Sequence, residues 1–317
     1  MYGARVGQFA AAIGPGERGN GLDRHGPAIV EVALNGGRSR AEHPGVPLTS
    51  SDVVADAVAC FAAGATVAHI HSRDEDGGWT ADPGWYAKAI RQIRTRAPGM
   101  VVSLTSIRPD GQPVARVVDM LDTLAADLAT RPDAISINLG PIVVREQTDG
   151  SRRTVHYPNA HDEIVAVLRA CRRHDVTPEL GVMDLGFVSN AVALDEDDEL
   201  PTKPWLLVEL DSSRFGSGTL VAPATAESYA AVAGALGAAF PAARWAAHGS
   251  GQGTFAVIET ALEAGQHARV GLEDTVVGPG GEPMGNLDQV RWAVEAATRV
   301  GRRAATSAET RAILDWW

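Results

Sequence analysis

Along most of its length the chain alternates short apolar, β-branched runs with longer segments of 3.6-residue period, and this alternation restricts the possible folds more than any single residue does. The runs fall at 28–34 (AIVEVAL), 66–71 (TVAHIH), 100–105 (MVVSLT), 134–138 (AISIN), 179–183, 205–210 (WLLVEL), 244–248 and 268–271. Helical periods occupy 50–63, 83–96, 114–129, 161–174, 224–235, 254–264 and 287–300, and a helix or loop follows the fifth run. Ser50 or Ser51 is placed to cap the first helix, Gly64 to close it, and Pro83 to open the second. Eight β-α units without a linker-like break predict an α/β fold, a (β/α)8 TIM barrel with an N-terminal extension and an extra C-terminal helix. An open doubly wound sheet is the alternative, but its usual glycine fingerprint is missing. The first run leads instead into Asn35-Gly36-Gly37-Arg38, and no phosphate-loop motif occurs in the chain.

Size and charge narrow the function classes. The chain has 317 residues, and its 28 Lys and Arg against 39 Asp and Glu give a net charge of −11. That balance argues against nucleic acid or an anionic membrane as the main partner, because both need a basic footprint. No stretch reaches the length of an apolar membrane span, and the first residues lack the build of a signal peptide. Residues 1–26 turn rich in Gly, Arg and Asn and are expected to form an irregular extension, leaving 27–317 as one barrel domain. Cys60 and Cys171, too few for a disulfide framework, fit a reducing cytoplasm.

A barrel places its chemistry at strand C-termini. The second run ends in His69-Ile70-His71-Ser72-Arg73-Asp74, and alternation turns both imidazoles toward the barrel mouth. Two such histidines are half of a metal site, or else buried polar residues bonded to carboxylates. The eighth run ends in Arg269-Val270-Gly271-Leu272-Glu273-Asp274, one strand removed around the wall. Glu273 can therefore complete a His69, His71, Glu273 set with an open position, the layout of a catalytic Zn²⁺. Arg269 can pair with Asp274 or Glu273 without conflicting with that role. Thr105, Ser106, Ser136 and Asn138 bring hydroxyl and amide groups to the same ends, where they can bind a carboxylate or merely bond nearby backbone. His248 and the Gly249–Gly253 run (HGSGQG) can bind phosphate or make a tight turn. The remaining histidines, His25, His43, His156, His161, His174 and His267, are expected to have no part in the chemistry.

Taken together, Pro47-Leu48-Thr49, HIHSRD, Gly77-Gly78, Pro178-Glu179-Leu180, GQHARVGLED and the tail from Arg303 to Glu309 resemble the β-keto acid cleavage enzyme family over about residues 28–314. The resemblance implies a Zn²⁺-dependent barrel, usually a homotetramer, that condenses a β-keto acid with acetyl-CoA and yields acetoacetate and a new acyl-CoA. It places the metal on His69, His71 and Glu273, the base on Asp274, its orienting arginine on Arg269, and substrate-binding hydroxyls on Thr105 and Ser136. Asn138 lies on the same wall. The substrate-facing side departs from the family pattern. Arg38 stands in place of a glutamate, Ser106-Ile107-Arg108 in place of Gly-Gly after a hydroxyl, and Gly140-Pro141-Ile142-Val143-Val144 in place of a Gly/Asn-Phe-Gly segment. Arg38 and Arg108 imply a substrate tail that is neutral or anionic.

Two other classes stay open at this level. An amidohydrolase also uses H-x-H on a barrel, though on its first strand and with further histidines on strands five and six, which here read ELGVM and WLLVEL. A barrel that binds ligand without catalysis is the third reading.

Overall fold

The computed structural model describes residues 24–108, 112–148, 151–210 and 221–314. Eight parallel strands close into a barrel: β1 (Val30–Ala33), β2 (Val67–Ile70), β3 (Val101–Thr105), β4 (Ala134–Asn138), β7 (Thr177–Val182), β8 (Trp205–Leu210), β9 (Arg244–Gly249) and β10 (His267–Val270). They follow chain order around the wall, and β1 closes the ring by pairing with β2 on one side and β10 on the other. The strands are short and buried on both faces, which is why they read as nearly continuous apolar runs.

Helices α1 (Ser50–Ala62), α2 (Pro83–Arg96), α3 (Ala115–Ala125), α4 (His161–His174), α5 (Leu185–Glu196), α6 (Ala226–Ala239), α7 (Gly253–Glu263) and α8 (Asn286–Arg299) cover the wall. Local chemistry sets their ends. Thr49 and Asp52 form a capping box at the start of α1, Asp82 caps α2, and Asp175 ends α4 in the left-handed conformation. Their inner faces follow the helical period: Val117, Met120, Leu121 and Leu124 of α3 are all buried. The segment after the fifth barrel strand, expected to be a helix or a loop, is the helix α5.

The hairpin β5 (Ile142–Thr148) and β6 (Ser151–Tyr157), inserted between β4 and α4, was not anticipated. Its sequence signal is the Asp149-Gly150 pair between two seven-residue runs, a favoured hairpin dipeptide masked by the charges around it. The extra C-terminal helix is α9 (Ser307–Ile313), opened by a Thr306–Glu309 capping box. Most of the proposed 1–26 extension lies outside the described residues.

Two apolar clusters hold the domain. The larger lies between wall and helices, and the smaller fills the lower barrel: Ile29, Val67, Val101, Trp205, Leu207 and Ala246, closed from below by Ala305, Ile313 and Leu314. Above that floor the inward positions are polar, with Glu31, His69, Ser103, Glu179, Glu209, His248 and Arg269 all buried.

Candidate active site

Strand alternation puts His69 of β2 on the inner wall, and His71, two residues on, follows it at the mouth. The His71 backbone is fixed by Asn35, whose amide accepts from His71 N at 3.0 Å and donates to His71 O at 3.0 Å. Glu273 and Asp274 arrive differently. Gly271, at φ +143°, turns the chain sharply after β10, and its carbonyl accepts from both Asp274 N and Thr275 N. A Cβ at this position would lie 2.1 Å from the Ala33 carbonyl oxygen, so only glycine fits the turn. Gly36 makes the matching allowance on β1's loop, where a Cβ would lie 2.2 Å from Glu273 Cγ. Two side chains of α8 pin the turn from behind, Gln289 accepting from Gly271 N and Asn286 from Leu272 N.

Three atoms then converge. His69 Nε2 and His71 Nε2 are 3.1 Å apart, and Glu273 Oε2 is 3.6 Å from the first and 3.4 Å from the second. Four ligands at 2.0–2.1 Å from a tetrahedral zinc sit about 3.4 Å from one another, so the spacing fits a small cation. The donors are two imidazole nitrogens and one carboxylate oxygen, a set that suits zinc better than the all-oxygen preference of magnesium or calcium. Arg269 Nη2 donates to Glu273 Oε1 at 2.9 Å, which leaves Oε2 turned toward the histidines.

The neighbouring carboxylate is held more tightly. Asp274 accepts from Arg269 Nε and Nη2, each at 3.1 Å, and His248 Nδ1 lies 3.2 Å from its Oδ1. Arg269 is 1% exposed and also donates to Glu31 Oε1 at 3.4 Å. Burial disfavours its charge, but Asp274, Glu273 and Glu31 outweigh that and hold the guanidinium protonated well above its ordinary value. Burial first, and then the charge of Glu179, push Glu31 well above the usual carboxylate range. Glu31, Glu179, Glu209, Glu273 and Asp274 are all buried around one arginine, an excess of acidic groups that a divalent cation would offset, a second reason the residues fit one.

The remaining expected residues are distributed unevenly. Thr105 is buried at the end of β3, its hydroxyl accepting from Ile107 N at 3.0 Å, and Ser136 lies beside it in register on β4. Asn138 is buried at the end of β4, and its Nδ2 makes no hydrogen bond among the described residues. Arg38 lies across the rim, 11% exposed, donating to the carbonyls of Glu273 at 3.4 Å and Asp274 at 3.3 Å and pairing with Glu42 at 2.8 Å. Arg108 is not an open cation near substrate: it donates to Gln112 O, Tyr157 Oη and Glu163 Oε1 and lies over the Tyr157 ring.

Other polar residues of the site were given no role from the sequence, although Glu179 stands in a motif of the resemblance. Glu31, Ser103 and Glu179 sit mid-strand, and Glu209 turns inward from β8. A Cβ on Gly181 would lie 2.8 Å from Glu209 Oε1 and 2.5 Å from Asn138 Oδ1, so the glycine yields its place to both. Trp79 closes over His71, with ring centroids 6.1 Å apart and its indole N–H on Gly36 O. The glycines after His248 pack against a neighbour, since a Cβ on Gly249 would meet Ala224 Cβ at 2.5 Å.

Known proteins are similar to this chain over most of its length. The 3-oxoadipate:acetyl-CoA acetyltransferase of Cupriavidus necator is 28% identical over 291 residues, which cover 91% of this chain and 94% of the relative. The 3-keto-5-aminohexanoate cleavage enzyme of Fusobacterium nucleatum is 26% identical over 297 residues, covering 90% and 97%. Among solved structures, apo ObcA matches with a TM-score of 0.71 at 19% identity, over 86% of this chain and 66% of that one, a likeness of fold alone. The names of the first two relatives are those of an acetyl-CoA acetyltransferase acting on a 3-oxo acid and of a 3-keto acid cleavage enzyme, the class that the resemblance implies. The sequence model of the beta-keto acid cleavage enzyme family matches residues 27–315, and with an H-x-H strand end facing a Glu-Asp turn in a closed barrel, the chain belongs to that family.

Proposed function

We propose that the chain exchanges acyl groups between a β-keto acid and acetyl-CoA. The bond between C2 and C3 of the keto acid breaks, the acetyl group ends on C2 as acetoacetate, and the remaining acyl group ends on the CoA sulfur. The observation that carries this reading is the meeting of His69 Nε2, His71 Nε2 and Glu273 Oε2 beside an arginine-held Asp274.

His69, His71 and Glu273 would hold a divalent cation, Zn²⁺ by the chemistry of the donors, which when bound supplies Lewis acidity toward a ketone oxygen. Asp274 takes the C2 proton, with Arg269 fixing both carboxylate oxygens. Thr105, Ser136 and Asn138 lie on β3 and β4, the next strands round the wall from β2, and bind the substrate carboxylate. Arg38 at the rim disfavours a cationic tail. The Cupriavidus relative, which acts on 3-oxoadipate, supports an anionic tail, since the far end of that molecule is a second carboxylate. A homotetramer in the cytoplasm completes the reading, supported by the family resemblance and by two free, buried cysteines. No helix among the described residues is long and apolar enough to cross a membrane.

The deciding assay follows acetoacetate and acyl-CoA together across a panel of β-keto acids. Equal amounts of both products, dependent on acetyl-CoA, are expected, with neutral and anionic tails outperforming amino-bearing ones. Cleavage without acetyl-CoA, or no product with any member of a broad panel, would overturn the reading.

A further inference from the structure

Beneath the metal group lies a buried chain of polar groups that the reaction as described does not use. His69 Nδ1 is 3.2 Å from Ser103 Oγ, and Ser103 Oγ is 3.0 Å from Glu179 Oε2. Glu179 Oε1 in turn accepts from the indole N–H of Trp205 at 3.1 Å. All four residues are buried. We infer that Ser103 and Glu179 are positioning residues that fix the tautomer of His69, holding its proton on Nδ1 so that Nε2 presents a lone pair to the cation.

The direction of the chain follows from donor counting. A carboxylate only accepts, so the one hydroxyl proton of Ser103 is committed to Glu179. The oxygen can then only accept at its other contact, and His69 Nδ1 must supply the hydrogen. Nε2 is left as the acceptor, on the side of His71 Nε2 and Glu273 Oε2. The opposite tautomer would turn an N–H toward the cation. A histidine bonded through its second nitrogen toward a carboxylate is a common way to set ligand orientation and basicity, and losing such a partner weakens metal binding roughly 10- to 100-fold. Trp205 matters as well. It belongs to the apolar floor, so its indole ties the carboxylate that orients a metal ligand to that packed layer.

This inference rests on the proposed metal role of His69, and the test separates the two. Zinc affinity is measured by chelator competition, and the His69 tautomer is read in the metal-free protein from imidazole ¹⁵N shifts. Ser103→Ala is expected to weaken zinc binding about 10- to 100-fold and to mix the tautomers. Ser103→Thr, which keeps the hydroxyl, should restore both. Glu179→Gln is the sharper variant, because its amide can donate to Ser103, reverse the chain and move the His69 proton to Nε2. If Ser103→Ala and Glu179→Gln leave zinc affinity and the Nδ1–H signal at wild-type values, the inference is overturned. If the wild type binds no zinc but shows the Nδ1–H tautomer and loses it in Ser103→Ala, the tautomer assignment stands and the metal reading fails.

Discussion

The two ends of the barrel interior are made by the same strands and the same inward alternation, but their chemistry is opposite. At the lower end Ile29, Val67, Val101, Leu207 and Ala246 pack around Trp205 under a cap from Ala305, Ile313 and Leu314. At the upper end three of those strands supply Glu31, His69 and Ser103, and the turn after β10 adds Glu273 and Asp274. Rise along a strand is about 3.3 Å per residue, so the change from hydrocarbon to charge takes place over two positions of one strand. Burial at the lower end stabilises the fold directly. At the upper end it does the reverse, since a buried charge is tolerable only when paired, and Arg269 does that pairing for both Glu273 and Asp274.

That contrast can be broken from either side. The largest effect is expected from Asp274→Asn, which keeps shape and removes basicity: the rate should fall about 10²- to 10⁴-fold while folding and metal content persist. Solvent deuterium exchange into C2 of a bound keto acid, without acetyl-CoA, isolates the step, and wild-type exchange in the variant would assign the base elsewhere. Leu207→Ala should do the opposite at the lower end, lowering unfolding free energy by about 2–5 kcal/mol in denaturant melts with turnover nearly unchanged.

His267 gives the lower end its pH dependence. Its Nδ1 accepts from Ile29 N at 3.0 Å, which needs a neutral ring. Burial, aided by Arg302 and Arg244, pushes its pKa down to about 3. The unfolded chain takes up a proton near pH 6.5 and the folded one does not. This contribution is therefore full above about pH 6.5 and is lost toward pH 3, by up to about 1.4 kcal/mol per pH unit. His267→Gln, whose carbonyl can still accept from Ile29, should flatten the slope between pH 6.5 and 5, and an unchanged slope would place the titration in another residue. The smallest effect is expected from Arg38→Glu at the rim. Turnover should shift several-fold from anionic toward amino-bearing substrates, the scale of a partly exposed ion pair at about 0.2–1 kcal/mol.

What the sequence made legible follows the same division. Period and strand ends gave the barrel, and alternation placed His69 and His71 on one face without knowledge of any contact. The role of Asp274 required the chain to turn beyond β10, and Gly271 makes that turn. Glu31 and Ser103 were not legible, and Glu179 was noted only as part of a family motif without a role, because a polar residue inside a β-branched run looks the same whether it faces helices or the barrel axis. The contact of His248 with Asp274 was hidden for another reason: it joins side chains 26 positions apart on β9 and the turn after β10, and only the closed sheet sets that distance. Arg108 shows the converse. Its sequence position suggested a cation for substrate, while Tyr157 and Glu163, in the inserted hairpin and the helix after it, already occupy the guanidinium.

The floor formed around Trp205 and Leu314 also has a consequence for traffic. Among the described residues the lower end of the barrel is stoppered, so keto acid, thioester and both products would share the route through the upper end. Arrivals and departures must alternate. Acetoacetate waiting to leave stands where the next keto acid must enter, and its accumulation should raise the apparent KM for the keto acid while leaving kcat untouched.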